Sequence, residues 1–243
     1  LVQLPTTTWS AVGSVTAGQL VLSASSVLSA QAALRVGGAL SLSTTSSLTA
    51  QVELLVGTTL AMSGASTLSA VEPHAVALIT AGSGCKLQAH GSSLVVRSGA
   101  LRLEAGALVT GESIEINTTD AALRLGSSRI STSATASGGG CQGGAAYKLG
   151  KRYGGGGGAG HGGGGGAGQR RTSYGGSSGG AACLGSLEAP AAKGSAGGVG
   201  YWTNDAASAG GKGGGTVLLL VGGTLHLDAG AAIEAGGGAG TDT

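Results

Sequence analysis

Four cysteine or histidine side chains at the right spacing hold zinc, so these residues come first. Cys85 and His90 lie near each other, but no second pair matches them, and His74, His161 and His226 are scattered. The histidines read as surface residues, with His161 a turn residue between two glycine runs. No metal and no cofactor are expected. Calcium-binding β-rolls repeat Gly-Gly-x-Gly-x-Asp, where the aspartate supplies ligand oxygens. The runs between Gly154 and Gly168 contain no Asp. A phosphate-binding loop needs a lysine followed by Ser or Thr, and Lys212 is followed by Gly213.

Acid–base chemistry has little to work with. Glu112/Glu115 and Arg124/Arg129 are the local concentrations of charge outside the glycine-rich stretch. Glycoside hydrolysis depends on the spatial separation of two carboxylates, and Glu112 and Glu115 are expected at a strand start, not across a groove. The expectation is a chain without catalytic residues, not an enzyme. Degradation of acidic polysaccharides ranks behind the two readings set out below.

Cys141 and Cys183 bracket the heart of the glycine-rich stretch. A disulfide between them would close a long loop, where a cross-link removes most chain entropy. Cys85 is then left over, either free or paired to another chain. Asn117-Thr118-Thr119 is an N-glycosylation sequon, in keeping with secretion. Tyr174, Tyr201 and Trp202 could form a platform for glycan or partner contact. Serine and threonine crowd the turn segments, as in Ser43-Thr44-Thr45-Ser46-Ser47, and read as solvated turns or as glycan contacts. An ice-binding face would need Thr-x-Thr ladders in register, whereas the repeats show Leu-x-Leu and Thr does not recur in register.

The elements that position these residues are written in the composition. The chain has 243 residues, 52 Gly, no Phe, 10% charged residues and 41% hydrophobic ones. An ordinary soluble domain is about 25% charged, and a disordered polymer is poor in Val, Ile and Leu. A core without aromatics suits a stack of equal layers better than an irregular globule. Net charge is +2. Its sparse cations exclude a nucleic-acid groove, which needs dense phosphate contacts. The longest aliphatic run, Val217 to Val221, is far below the ~20 residues of a membrane span. The chain opens on Leu1, which reads as a processed product or a window of a longer chain.

A repeat is legible. Leu20/Leu22, Leu40/Leu42 and Leu60/Met62 recur at intervals of twenty residues, as do Leu28, Leu48, Leu68 and Ala30, Ala50, Ala70. Leu34/Val36 recurs as Leu54/Val56. One unit reads L-x-L, a polar turn, L-x-A, then L-x-V. Period two within a piece predicts strands, and a fixed longer period predicts a solenoid. Pro73 and its neighbours are expected to insert residues and break the spacing. The motif resumes at Leu87/Ala89, at Leu101/Leu103 with Leu108, and at Leu123/Leu125 with Ile130; Ile114/Ile116 and Val217/Leu219 read as L-x-V pieces. Residues 138–215 then hold 32 of the glycines and all four tyrosines, before Leu225/Leu227 and Ile233/Ala235 restore the unit.

The runs Gly154 to Gly168, the segment Gly213 to Leu219, and Leu225-x-Leu227 with Ile233-x-Ala235-Gly236-Gly237 resemble glycine-rich parallel β-helix surface and fibre proteins of protists, the mastigoneme-like structural proteins among them. The glycine-rich part is similar in style to springtail antifreeze proteins, which bundle polyglycine-II strands. The resemblance implies extracellular structure or adhesion and brings no catalytic residue.

The sequence thus predicts an all-β protein, a right-handed parallel β-helix solenoid of about 20 residues per rung. Its rungs are expected over residues 1–137. A glycine-rich insertion, polyglycine-II-like and packed on the flank or else a loop, would occupy 138–215, and a return to the rungs with the start of a further glycine-rich stretch 216–243. The favoured function is an extracellular, secreted or cell-surface structural unit of a fibre, flagellar hair or coat. Its partners would be copies of itself or companion chains, with glycans possible, and neither nucleic acid nor membrane insertion is expected. The alternative is an adhesin or glycan-binding module.

Overall fold

A computed structural model of the chain describes residues 1–91, 93–119, 123–132, 200–201, 207–208 and 215–236. They fall in two compact units, Leu1–Ser131 with Val217–Glu234, and Thr132–Thr216 with Ala235–Thr243. Every described element is a strand; none is helical.

The first unit is a β-solenoid of parallel strands, with about six uninterrupted turns of three strands each. The first turn is β1 (Val2–Pro5), β2 (Thr8–Ala11) and β3 (Val15–Ala17). The second is β4 (Leu20–Ser23), β5 (Val27–Ala30) and β6 (Leu34–Val36); the third is β7 (Leu40–Leu42), β8 (Ser47–Ala50) and β9 (Leu54–Val56). Next come β10 (Thr59–Met62), β11 (Thr67–Ala70) and the long β12 (Pro73–Ala81), which rounds a corner into the fifth turn. That turn continues through β13 (Lys86–Ala89) to β14 (Ser93–Leu103), which again rounds the corner. The sixth turn closes with β15 (Leu108–Gly111) and β16 (Ser113–Thr118). A seventh begins with β17 (Leu123–Leu125) and β18 (Arg129–Thr132).

The chain between Thr132 and Gly200 lies outside the described residues. Its next described strands, β19 (Gly200–Tyr201) and β20 (Ala207–Ser208), form an antiparallel pair in the second unit. β21 (Thr216–Val221) returns beside β16 as the missing third strand of the seventh turn, and β22 (Leu225–Leu227) and β23 (Ala232–Glu234) add two strands of an eighth. The glycine-rich stretch therefore departs within a turn, between its second and third strands, and not between whole rungs. The polyglycine-II arrangement expected for 138–215 otherwise lies outside the described residues.

The twenty-residue repeat is the pairing register through the middle turns. Leu20 lies beside Leu40 and Leu40 beside Leu60, while Leu28, Leu48 and Leu68 form a second inward ladder. Neighbouring positions stack ~4.8 Å apart, the ordinary spacing of paired strands. All of these leucines are fully buried, as are Leu34, Leu54, Ala30, Ala50 and Ala70. Each such leucine stabilises the fold by roughly 2 kcal/mol of removed apolar surface. Aliphatic chains suffice because every layer presents the same shape to the next. Turn length does vary, since Val2 faces Leu20 and His74 faces Arg97.

Two expectations need correction. The spacing does break around Pro73, as expected, but Pro73 itself takes the inward place opposite Leu54, and the irregularity lies between Ala75 and Leu78, where β12 bulges against β14. Leu108 is not the inward residue of its strand. Val109 faces Leu87 and is fully buried, and Leu108 points outward. The four-residue turn before β15, closed by the Ala107 amide on the Glu104 carbonyl at 3.0 Å, sets this phase.

The corners explain the small residues. The turns before the second strands close by amide–carbonyl bonds such as Ser26 to Ser23 and Cys85 to Gly82, both at 3.2 Å. In the first turns of this stack the left-handed residue is the first central one: Ala24, Thr44 and Gly64, with φ of 53°, 60° and 65°. In later turns it is the second, with Gly84, Gly106 and Gly230 at 76°, 80° and 83°. Glycine meets that demand without the Cβ clash that Ala24 and Thr44 carry.

Candidate functional site

The charged side chains of the solenoid lie outside the core, and four ion pairs among the described residues join neighbouring turns. Arg35 meets Glu53 at 3.5 Å, and Arg97 meets Glu72. Arg102 lies 3.8 Å from Glu104. Arg124 and Arg129 sit on β17 and β18, in different sheets, so they do not converge on one site. Arg124 bonds Asp228 at 3.2 Å, and Arg129 meets Glu234 at 3.5 Å. Both partners lie beyond the glycine-rich stretch. These two pairs fasten the eighth turn to the seventh, a link that sequence reading missed because the partners are about a hundred residues apart.

All five pairs are substantially solvent-exposed, and such pairs contribute about 0–1 kcal/mol each. Asp228→Ala is accordingly expected to destabilise the solenoid by about 0.5 kcal/mol at low salt. That difference should vanish in molar salt, where the screening length is about 3 Å. Chemical denaturation at two salt concentrations measures both values.

A shallow cavity of about 250 Å³ opens beside this link, lined by Arg102, Glu104, Arg124, Ser127 and Asp228. Its carboxylates Glu104 and Asp228 pair with Arg102 and Arg124. Glu115 projects outward from β16 beside Val95, and Glu112 lies in the turn before that strand. The two carboxylates thus stand at one strand start, as their spacing suggested. Among the described residues no three His, Cys, Asp or Glu side chains cluster as a metal site. None of the described elements is a helix long and apolar enough to cross a membrane.

Asn117 projects from the outer side of β16 in line with Arg97 and His74, half-buried, while Thr118 of the sequon points inward and is buried. Cys85 is a buried free thiol. Its Sγ lies 3.2 Å from the Gly64 carbonyl oxygen and 3.4 Å from Ser66 Oγ. It occupies the same stack position as Ser26, Ser46 and Ser66, all fully buried. A thiol so enclosed cannot reach another chain, which leaves the first of the two sequence options. Cys141, Cys183, Tyr174 and Trp202 lie outside the described residues. Tyr201 is in β19, opposite Ala207.

The second strands carry one feature that sequence reading misjudged. Between their inward Leu and Ala residues, the outward positions hold Ser29, Thr49 and Ser69 in direct register. Gln88 and Thr110 continue the column. Thr alone does not recur, but hydroxyls do, and the Leu-x-Leu pattern describes other strands. The signal was available in V-L-S-A, S-L-T-A and T-L-S-A once inward and outward places were separated.

No protein-family model, no curated protein and no solved structure matches this chain.

Proposed function

We propose that this protein is an extracellular structural unit, a subunit or segment of a fibre, flagellar hair or cell-surface coat, extended by stacking solenoid on solenoid. The observation that carries the reading is the state of the inward ladders at the two end turns. Trp9 belongs to the ladder of Leu28, yet is 42% exposed, and Leu225, Leu227 and Ile233 extend the buried ladders of Leu123, Leu125 and Ile130 while remaining 40–55% exposed. A further solenoid turn on either end, supplied by the same chain or by another, would cover this apolar surface and pair the open strand edges, which are ready templates for a further strand.

Charge favours the same outcome. Each arginine among the described residues is already engaged by a carboxylate within the solenoid. Little unpaired charge remains there to keep copies apart. The partners are copies of this chain or companion chains with matching ends. In this reading the solenoid is right-handed, as parallel crossover connections almost always are. The glycine-rich stretch is a polyglycine-II-like flank stapled by Cys141 and Cys183, and Asn117 carries a glycan on the outer face.

Sedimentation velocity and electron microscopy of the native chain at physiological salt test the assembly. Filaments or large oligomers are expected, and the double variant Leu225→Lys/Leu227→Lys should reduce them to single particles by placing two charges in the joint. A wild-type chain that stays a dispersed monomer overturns the reading.

A further inference from the structure

We infer that a file of internal water molecules runs along one corner of the solenoid, held between the hydroxyls of Ser26, Ser46 and Ser66. These serines take one inward place on three successive turns, immediately before the second strands. The amides that follow them bond straight along the stack, Ser47 to the Ser26 carbonyl and Thr67 to the Ser46 carbonyl, both at 2.9 Å. All three side chains are 0% exposed. Among the described residues, no hydrogen-bond partner reaches the Oγ of Ser26 or of Ser46.

Size does not demand serine here. Ala107 and Ala231 hold the same place before β15 and β23, and Ser128, which sits between these alanines, lies outside the file. A buried hydroxyl without a partner is costly, and buried polar groups are nearly always satisfied by protein or by ordered water. Two such hydroxyls on adjacent turns, with a third next to them, mark a polar site in an otherwise aliphatic core.

Spacing identifies the ligand. Equivalent places on paired strands lie ~4.8 Å apart, too far for one hydroxyl to reach the next, since O–H···O bonds span about 2.5–3.0 Å. A single oxygen about 2.8 Å from each would bridge that gap at an angle of about 120°. Water suits the place, because it both donates and accepts and is held in an interior by two to four polar partners. A calcium or magnesium ion would require more oxygen ligands. One water bridges Ser26 and Ser46, and one bridges Ser46 and Ser66.

Cys85 ends the file. It takes the place after Ser66, and its longer side chain closes the gap directly. Its Sγ lies 3.4 Å from Ser66 Oγ and donates to the Gly64 carbonyl oxygen at 3.2 Å. With the thiol proton so used, Ser66 donates to the sulfur, and its oxygen is left to accept from the neighbouring water. The hydrogen bonds then run one way, from Ser26 through both waters to Gly64, and bonds in such a chain strengthen one another. Water-mediated bonds are nearly as favourable as direct ones, so the corner keeps its serines at little cost to the core. This site is independent of the solenoid ends and of end-to-end stacking.

Oxygen-17 relaxation dispersion of the full chain tests the inference, because it reports long-lived waters and does not see serine hydroxyls. Cys85→Ser restores the serine spacing and should add one long-lived water to the wild-type number. Ser46→Ala removes the hydroxyl shared by both bridges and should lose two, with a lower Tm. In a dry corner the same substitution would delete an unsatisfied hydroxyl and raise the folding equilibrium constant roughly fivefold or more. Circular dichroism checks that each variant is folded, and if one is not, the other decides. No added water in Cys85→Ser, an unchanged number in Ser46→Ala, or a Tm of Ser46→Ala at or above wild type would each overturn the inference.

Discussion

Leu48→Ala is expected to cost about 3–4 kcal/mol of stability, whereas Thr49→Ala beside it costs less than about 0.5 kcal/mol. Leu48 is fully buried between Leu28 and Leu68, and its neighbours above and below are held by backbone ladders that cannot slide inward to fill the gap. Lost apolar burial and the unfilled cavity therefore add. Thr49 points the other way and leaves no cavity. A stacked fold passes the damage to adjacent turns, because each turn is stabilised by its neighbours. Denaturant unfolding of the two variants measures the contrast. A larger loss from Thr49→Ala than from Leu48→Ala would mean that inward and outward places are exchanged, and equal losses would overturn the contrast.

Gly57→Ala should destabilise the solenoid by about 1–3 kcal/mol, although it adds only a methyl group. The corner between a third strand and the next turn brings backbones into contact. The Gly57 amide donates to the Val36 carbonyl at 2.7 Å, and a Cβ on Gly57 would collide with the Gly37 carbonyl oxygen and stand 2.7 Å from its carbon. Backbone in a ladder cannot rotate aside as a side chain would. The same substitution at Gly13 meets nothing within 4 Å and should change stability by less than about 0.5 kcal/mol. Gly222 repeats the Gly57 situation against Thr119, on the turn that resumes after the glycine-rich stretch. Thermal unfolding of Gly57→Ala and Gly13→Ala separates close packing from general helix-free chain stiffness, since both lose the same backbone freedom in the unfolded state.

The amino-acid sequence by itself determined the parallel stack. Leu20, Leu40 and Leu60 recur at one interval, and strand alternation turns that interval into a buried ladder with a single register, because a one-residue slip would expose every leucine. It also placed Leu28, Leu48 and Leu68. Tertiary structure decided what local patterning cannot encode. Leu108 and Val109 are both apolar, and only the length of the preceding turn chose Val109 for the core. Pro73 could enter a strand because it fills an inward place at the corner. The pairs Arg124 with Asp228 and Arg129 with Glu234 span the glycine-rich stretch, so their proximity follows from β22 and β23 resuming the stack and from nothing local. Ser29, Thr49 and Ser69 recur at the same twenty-residue interval as the leucines, and parallel pairing sets them in line on the outer face.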